Sequence, residues 1–464
     1  MLKLKTMPEE TPAMLQYHKI KRKHPDCIVL FQLGDFYEAL YEDAKTVSSI
    51  LDIVLTARNK RGKKIPMAGI PVHALDTYLP KLVNAGLKVA IVAQTEEPTK
   101  GKKIVDRDVI RIVTPGTLSE DIVLKSKTYR YIAAISSVQK GEANAYAIAY
   151  ADLSTGTFKA TKEITREYGK DLLQSLQPNE ILIPEQLTDQ FIEELKKKYI
   201  TTPLDPYFFD VDLSFSALID HFHTATLKGF SIEKSDRLTI SVAGALLQYL
   251  KNTQRTSLEH INKISIHSSK NGMIIDATTL RNLEIIYPLF SKDGPSLLST
   301  IDRTKTSMGG RIIKDWLLNP LADVKKIRNR NETVEFFLKN IKELESLDGY
   351  LTQISDIERI VGKFGLNSLK PPHLVSLKES MKNVENVIVA LKKTGDPLTQ
   401  KTTLINRMIK KTEKNLERVR PLVEEIDKAI EENPPSVTHM GGIIKRGYCE
   451  ELDRIREAAE KGKN

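Results

Sequence analysis

The sequence predicts a multidomain chain: two α/β domains, the first with a small mixed sheet, followed by a long-helix, all-α core. Three observations carry this. Short apolar runs of strand type alternate with helical spacing up to about residue 250. From about residue 257 the strand signals stop, and long amphipathic patterns take over, punctuated by Pro320, Pro371, Pro372, Pro434 and Pro435. Finally, 464 residues with 41% hydrophobic and 28% charged side chains suit about three domains with ordinary cores.

In the first domain, Thr11-Pro12 reads as a helix start, with Thr at the N-cap and Pro at the first helical position, and the helix runs to about Lys23. Cys27 to Leu33 (CIVLFQL) is a strand broken by Gly34-Asp35, which presents Phe36-Tyr37-Glu38 at the start of a helix. Helical spacing spans 38 to 50, and Ile53 to Thr56 reads as a strand. Ile65 to Ile70 leads into a helix with Leu75, Tyr78, Leu79, Leu82 and Val83 on one face, Pro80 inside it and Gly86 as its C-terminal cap. Leu87 to Ala93 closes the unit as a strand.

The boundary falls at Thr114 to Ser126, around Pro115-Gly116. Tyr131 to Val138 and Ala145 to Ala151 read as paired strands and Gly156 to Thr161 as a third, with helices then alternating with Ile181 to Pro184. The helical part is expected over 277–290, 308–318, 323–345, 371–393 and 400–431, and Glu451 to Glu460 begins a further helix. The domains are drawn at 1–117, 118–255, 256–442 and 443–464.

Several function classes fall away. No apolar run is long enough to span a membrane, and MLKLKTMPEE is no secretory signal. Cys27 and Cys449, at opposite ends of the chain, exclude a disulfide framework and a cysteine zinc site, which points to the reducing cytoplasm. The histidines show no metal-ligand spacing, and His221 and His223 read as a surface pair. A formal charge of +10 is compatible with a nucleic-acid partner. No phosphate-cradling P-loop, nucleophile elbow or kinase signature occurs. Asp152 follows a strand of the type seen in RNase H-like folds, but a nuclease needs several carboxylates converging on metal ions, and no partners for Asp152 can be placed.

The informative stretch is Phe31 to Glu38, FQLGDFYE. An aromatic near a strand end commonly faces the core. Against that stands the loop RNKRGKK, whose Arg58, Lys60, Arg61, Lys63 and Lys64 come with no acid. An exposed ring near a cationic loop is what a DNA wedge needs: cations neutralise phosphates and the ring enters between bases. Spacing alone leaves both readings open.

These residues carry a resemblance to the MutS family of bacterial DNA mismatch-repair proteins. The similar segments are TPAMLQY at Thr11, FQLGDFYEALYEDA at Phe31, IPMAGIPVHALDTYLPKLVNAG at Ile65, KVAIVAQTEEP at Lys88 and VIRIVTPGT at Val109. MIIDATTLRNLEI at Met273, SLLSTIDRTKTSMGGRIIKDWLLNPL at Ser296 and GYCEELDRIRE at Gly447 follow in the family's order.

The resemblance implies that Phe36 stacks on a mismatched or unpaired base from the minor groove and that Glu38 hydrogen-bonds that base. Arg58, Lys60, Arg61, Lys63 and Lys64 would hold the DNA backbone. Residues 128 to 250 resemble the family's RNase H-like connector, and Arg281 to Glu284 and Asp302 to Thr306 resemble its core motifs. The family also implies the repair partner MutL, nucleoid association, and a second half with an ATPase that uses ATP and magnesium and dimerises the protein. That half has no counterpart in the sequence, so the chain is expected to be an N-terminal piece, monomeric, with no cofactor, metal or ATPase of its own. The alternatives are a DNA-binding remnant without repair signalling, or an RNase H-like metal nuclease.

Overall fold

The computed structural model describes residues 11–60, 63–94, 105–119, 127–267, 272–273, 275–290, 294–393, 403–437 and 441–462. The chain divides into two compact units, Met1–Leu124 with Arg130–His267, and Lys125–Tyr129 with Ser268–Asn464.

The first unit opens with α1 (Pro12–Lys23), led by Pro12 as the sequence predicts. β1 (Cys27–Leu33) turns through Gly34, at φ +63, and Asp35 into β2 (Phe36–Leu40). The expected helix start at Phe36 is therefore a strand, and α2 (Tyr41–Leu51) begins later. The reason is pairing: Leu33 faces Phe36 and Phe31 faces Glu38 across a two-residue turn, so period-two burial of Tyr37 and Ala39 overrides local helical spacing. Ile53 to Leu55 lie outside β3 (Thr56–Lys60), which pairs with β4 (Lys63–Pro71). The basic loop is thus the end of a hairpin, with Arg58 opposite Ile65 and Lys60 opposite Lys63.

α3 (Leu75–Asn84) buries Leu79, Leu82 and Val83 as expected. Gly86, at φ +87, ends it, its N–H donating to the Val83 carbonyl at 2.9 Å. β5 (Lys88–Gln94) does not close the sheet, because β6 (Arg107–Val113) pairs along its outer edge. The sheet order is β3-β4-β2-β1-β5-β6, parallel between β1 and β5 and antiparallel elsewhere. One face packs Leu30, Tyr37, Ala68 and Ile91 against α2 and α3. The other packs Val29, Phe31, Leu40 and Val92 against Met14, Tyr17 and Ile20 of α1.

The second sheet has the order β11-β10-β7-β8-β9-β12. β7 (Ile132–Lys140), β8 (Ala143–Asp152) and β9 (Thr157–Thr161) form the expected antiparallel meander. α4 (Arg166–Leu176), β10 (Glu180–Pro184), α5 (Gln190–Lys198) and β11 (Thr201–Leu204) follow, β10 and β11 running parallel to β7. Next come α6 (Val211–Phe222), α7 (Arg237–Gln254) and β12 (Ser265–His267). β11 and β12 were not expected, and β12 corrects the reading that strands end before 257. His221 is half-buried with Nε2 2.8 Å from the Ile261 carbonyl, so it forms no surface pair with His223.

The expected linker from Thr114 to Ser126 begins buried, and its residues 120–126 lie outside the described ones. The fully buried Glu180 carboxyl accepts from Thr114 Oγ1, from the Gly116 N–H at 3.0 Å, from Thr202 Oγ1 at 2.6 Å and from Tyr249 OH at 2.8 Å. One side chain on β10 thereby ties the turn after β6 to β11 and α7.

The second unit holds α8 (Ala277–Asn282), α9 (Leu297–Ile301), α10 (Ser307–Leu318), α11 (Val324–Lys339), α12 (Ile341–Thr352), α13 (Ile357–Gly365), α14 (Pro371–Lys393), α15 (Thr403–Ala429) and α16 (Glu450–Lys461). The helix expected over 277–290 stops at Asn282, and that over 323–345 breaks at Asn340, whose backbone (φ −129, ψ 61) leaves the helical region. Ile388 of α14 packs on Ile409 and Leu416 of α15. Arg311, in the Gly309-Gly310-Arg311 turn that opens α10, is fully buried and donates twice to Asp356, at 2.7 Å each, and to Glu358 at 2.7 Å. Arg311 thereby ties the start of α10 to the start of α13.

Candidate nucleic-acid interface

Side chains alternate along a strand, so Phe36 and Glu38 share one face of β2 while Tyr37 and Ala39 enter the core on the other. Further along the same face α1 covers Leu40 and Phe31. At the turn end that cover stops, and the Phe36 ring is 46% exposed. The inward-facing alternative for Phe36 is therefore excluded by its exposure. Across the sheet Phe36 faces Pro71, and Glu38 faces Gly69.

Glu38 is half-buried, and its carboxylate takes no hydrogen bond from a described residue. Burial holds its pKa above the ordinary glutamate value, and the Arg58 guanidinium partly counteracts this. Arg58 is exposed and lies on the same face, through the register Arg58–Ile65 on β3 and β4. Lys64 is exposed and pairs with Asn59, one step away, so alternation puts it on the opposite face. Lys60 and Lys63 are register partners, and Arg61 lies outside the described residues. The hairpin thus brings Arg58 toward Phe36 and Glu38 and sets Lys64 apart from them.

Two neighbours escaped the sequence reading. Arg107 of β6 lies 5.3 Å over the ring of Phe31, the cross-strand partner of Glu38, and its Nε donates to the Gln32 carbonyl at 2.7 Å. Gly69 sits beside both Phe36 and Glu38. A glycine inside a strand pattern was the available signal for the second. Nothing in the spacing could signal the first, because its place depends on β6 pairing with β5.

Asp152 has no room for metal work. Its Oδ1 accepts from the Ser154 N–H at 2.8 Å, the Ser154 hydroxyl at 2.6 Å and the Thr155 N–H at 3.2 Å, and its Oδ2 accepts from the Arg130 N–H at 2.7 Å. The carboxylate holds the turn after β8. Among the described residues no group of three or more His, Cys, Asp or Glu side chains could hold a metal ion. Among them also, no helix is long and apolar enough to cross a membrane.

Fold and site together define a chain of two mixed-sheet modules and a helical region, with an exposed ring, a half-buried carboxylate and an arginine sharing one sheet face. Family models match it along nearly its whole length: MutS domain I over residues 11–122, MutS domain II over 130–262 and MutS domain III over 278–462. The DNA mismatch repair protein MutS of Salinibacter ruber is 36% identical across 98% of this chain and 49% of its own length. Those of Parabacteroides distasonis and Christiangramia forsetii are each 38% identical across 98% of this chain and 50% of their own. The chain belongs to the MutS family. It spans about half the length of the curated relatives it matches.

Proposed function

We propose that this chain recognises mismatched or unpaired bases in duplex DNA and so serves DNA mismatch repair. Phe36 enters from the minor groove and stacks on the mispaired base, the duplex bends, and Glu38 hydrogen-bonds the base. The single observation that carries this is the exposed Phe36 ring beside a half-buried Glu38, whose carboxylate takes no hydrogen bond from a described residue, on one open sheet face. Mispaired bases are already poorly stacked, so a ring inserts there at lower cost than at a paired step. Stacking a base on an aromatic contributes about 1–3 kcal/mol. Arg58, with Lys60, Arg61, Lys63 and Lys64, holds phosphates without reading sequence.

Residues 1–117 form the recognition domain, 118–255 an RNase H-like connector, 256–442 the core and 443–464 the start of a clamp. The antiparallel β7-β8-β9 meander followed by parallel β10 and β11 supports the connector reading. The chain acts in the cytoplasm at the nucleoid, is mainly monomeric and meets MutL; ATP and magnesium chemistry belongs to the other half of the family's proteins. The test is competition binding of this chain to a duplex with one unpaired thymine and to its matched counterpart. The unpaired duplex should win, and equal affinity would end the proposal.

A further inference from the structure

We propose that Gly69 determines specificity at this site: the space left by its missing side chain lets the Phe36 ring and the Glu38 carboxylate close on one displaced base. The inference rests on the reading of Phe36 and Glu38 given above.

Gly69 lies directly opposite Glu38 in the β2–β4 register, with Phe36 two residues along on the same face. A Cβ built on it would stand 3.4 Å from Glu38 Cγ, 3.7 Å from Phe36 Cδ1 and 3.5 Å from the Tyr37 carbonyl oxygen. A methyl-sized gap therefore separates the two reading side chains, with backbone as its floor. Gly69 is absent from the residues with positive φ, so the backbone does not require a glycine here. Glycine inside a strand lowers stability relative to residues that can pack. What the glycine supplies is room. For a base to lie on the ring and meet the carboxylate, both side chains must adjust over this floor. A methyl group occupies the volume into which they would move, and two more methyls close it.

The contacts an alanine would make are ordinary van der Waals distances, so Gly69→Ala should fold normally. Gly69→Ala and Gly69→Val are made in the 464-residue chain, beside Phe36→Ala and the double variant Phe36→Ala/Gly69→Ala. Each is measured on an unpaired-thymine duplex and its matched counterpart at three salt concentrations, with thermal unfolding in parallel. Both Gly69 variants should keep matched-DNA affinity. The mismatch-to-match ratio should fall about fivefold with alanine, part of the worth of one stacked base, and reach unity with valine. The double variant should match Phe36→Ala alone, because a residue that acts through the ring has nothing left to act on.

If Phe36→Ala abolishes the ratio while Gly69→Ala leaves it intact, the role of Gly69 is overturned and the wedge stands. If Phe36→Ala keeps the ratio, the wedge reading falls and takes this inference with it. Equal loss of matched and mismatched affinity in Gly69→Ala would make the residue a general structural one and also overturns the proposal. Where valine lowers the unfolding midpoint, the alanine variant decides.

Discussion

Glu38 separates a discriminating contact from an anchor. A carboxylate beside DNA phosphates is repelled by them, and a matched pair offers it no compensating partner. Burial raises its pKa in the free protein, so the proton is held to higher pH than on an ordinary glutamate. As pH falls toward the glutamate range, the neutral form grows in earlier than on an ordinary glutamate, and matched-DNA affinity should rise with it. In Glu38→Gln that contribution should be absent. The sign for stability follows the same raised pKa: the native state favours the protonated form, so stability is lost as pH rises through the folded value. Glu38→Gln should therefore leave the free protein no less stable at neutral pH. Glu38→Ala should tighten matched binding and shrink the mismatch-to-match ratio, with glutamine retaining more mismatch affinity. Weaker matched binding in Glu38→Ala would mean that the carboxylate organises the local fold. Phe36, Glu38 and Arg58 were legible because FQLGDFYE and RNKRGKK are local patterns. Gly69 and Arg107 were not, because their places depend on the pairing of β2 with β4 and of β5 with β6.

The elements divide the same way. α1, β1, α3, β5, β7 and β8 could be read because their apolar patterns are sharp, and several carry a boundary signal such as Pro12 at the start of α1 or Gly86 at the end of α3. β2 reads as helix because Glu38 and Ala39 favour helix and run into the helical spacing that follows, and the pairing with β1 and β4 makes Phe36–Leu40 a strand. β3 hides because it is mostly polar, with Arg58, Asn59 and Lys60 in a row and no alternation, and β11 and β12 are too short to show alternation. The joint at Glu180 was invisible for another reason: a lone glutamate before an apolar run gives no sign of four partners from three distant segments. Glu180→Leu would leave Thr114, Thr202 and Tyr249 hydroxyls buried without their acceptor, and should cost about 3–5 kcal/mol. Glu180→Gln should cost less, since its amide oxygen still accepts. Chemical denaturation followed by intrinsic fluorescence reads both, and a leucine variant as stable as the parent would contradict the joint.

For the molecule as a whole, burial is uneven. The first unit closes apolar clusters on both faces of its first sheet. The second unit leaves large apolar side chains in water, with Phe290 93%, Leu338 70% and Phe364 68% exposed. Local opening follows low burial, so limited proteolysis should remove the second unit first and leave a fragment ending near His267. Uniform resistance to Asn464 would show the helical region to be as tightly held as the sheets.

The central claim is that one exposed ring reads the mispaired base, and its most direct test is the mismatch-to-match affinity ratio of Phe36→Ala against the parent chain, measured across salt. The ratio should fall to unity while a salt-sensitive affinity for matched duplex persists, because Arg58 and its neighbouring cations still meet phosphates. A ratio that survives the loss of the ring, or matched and mismatched binding lost in equal measure, would contradict the account.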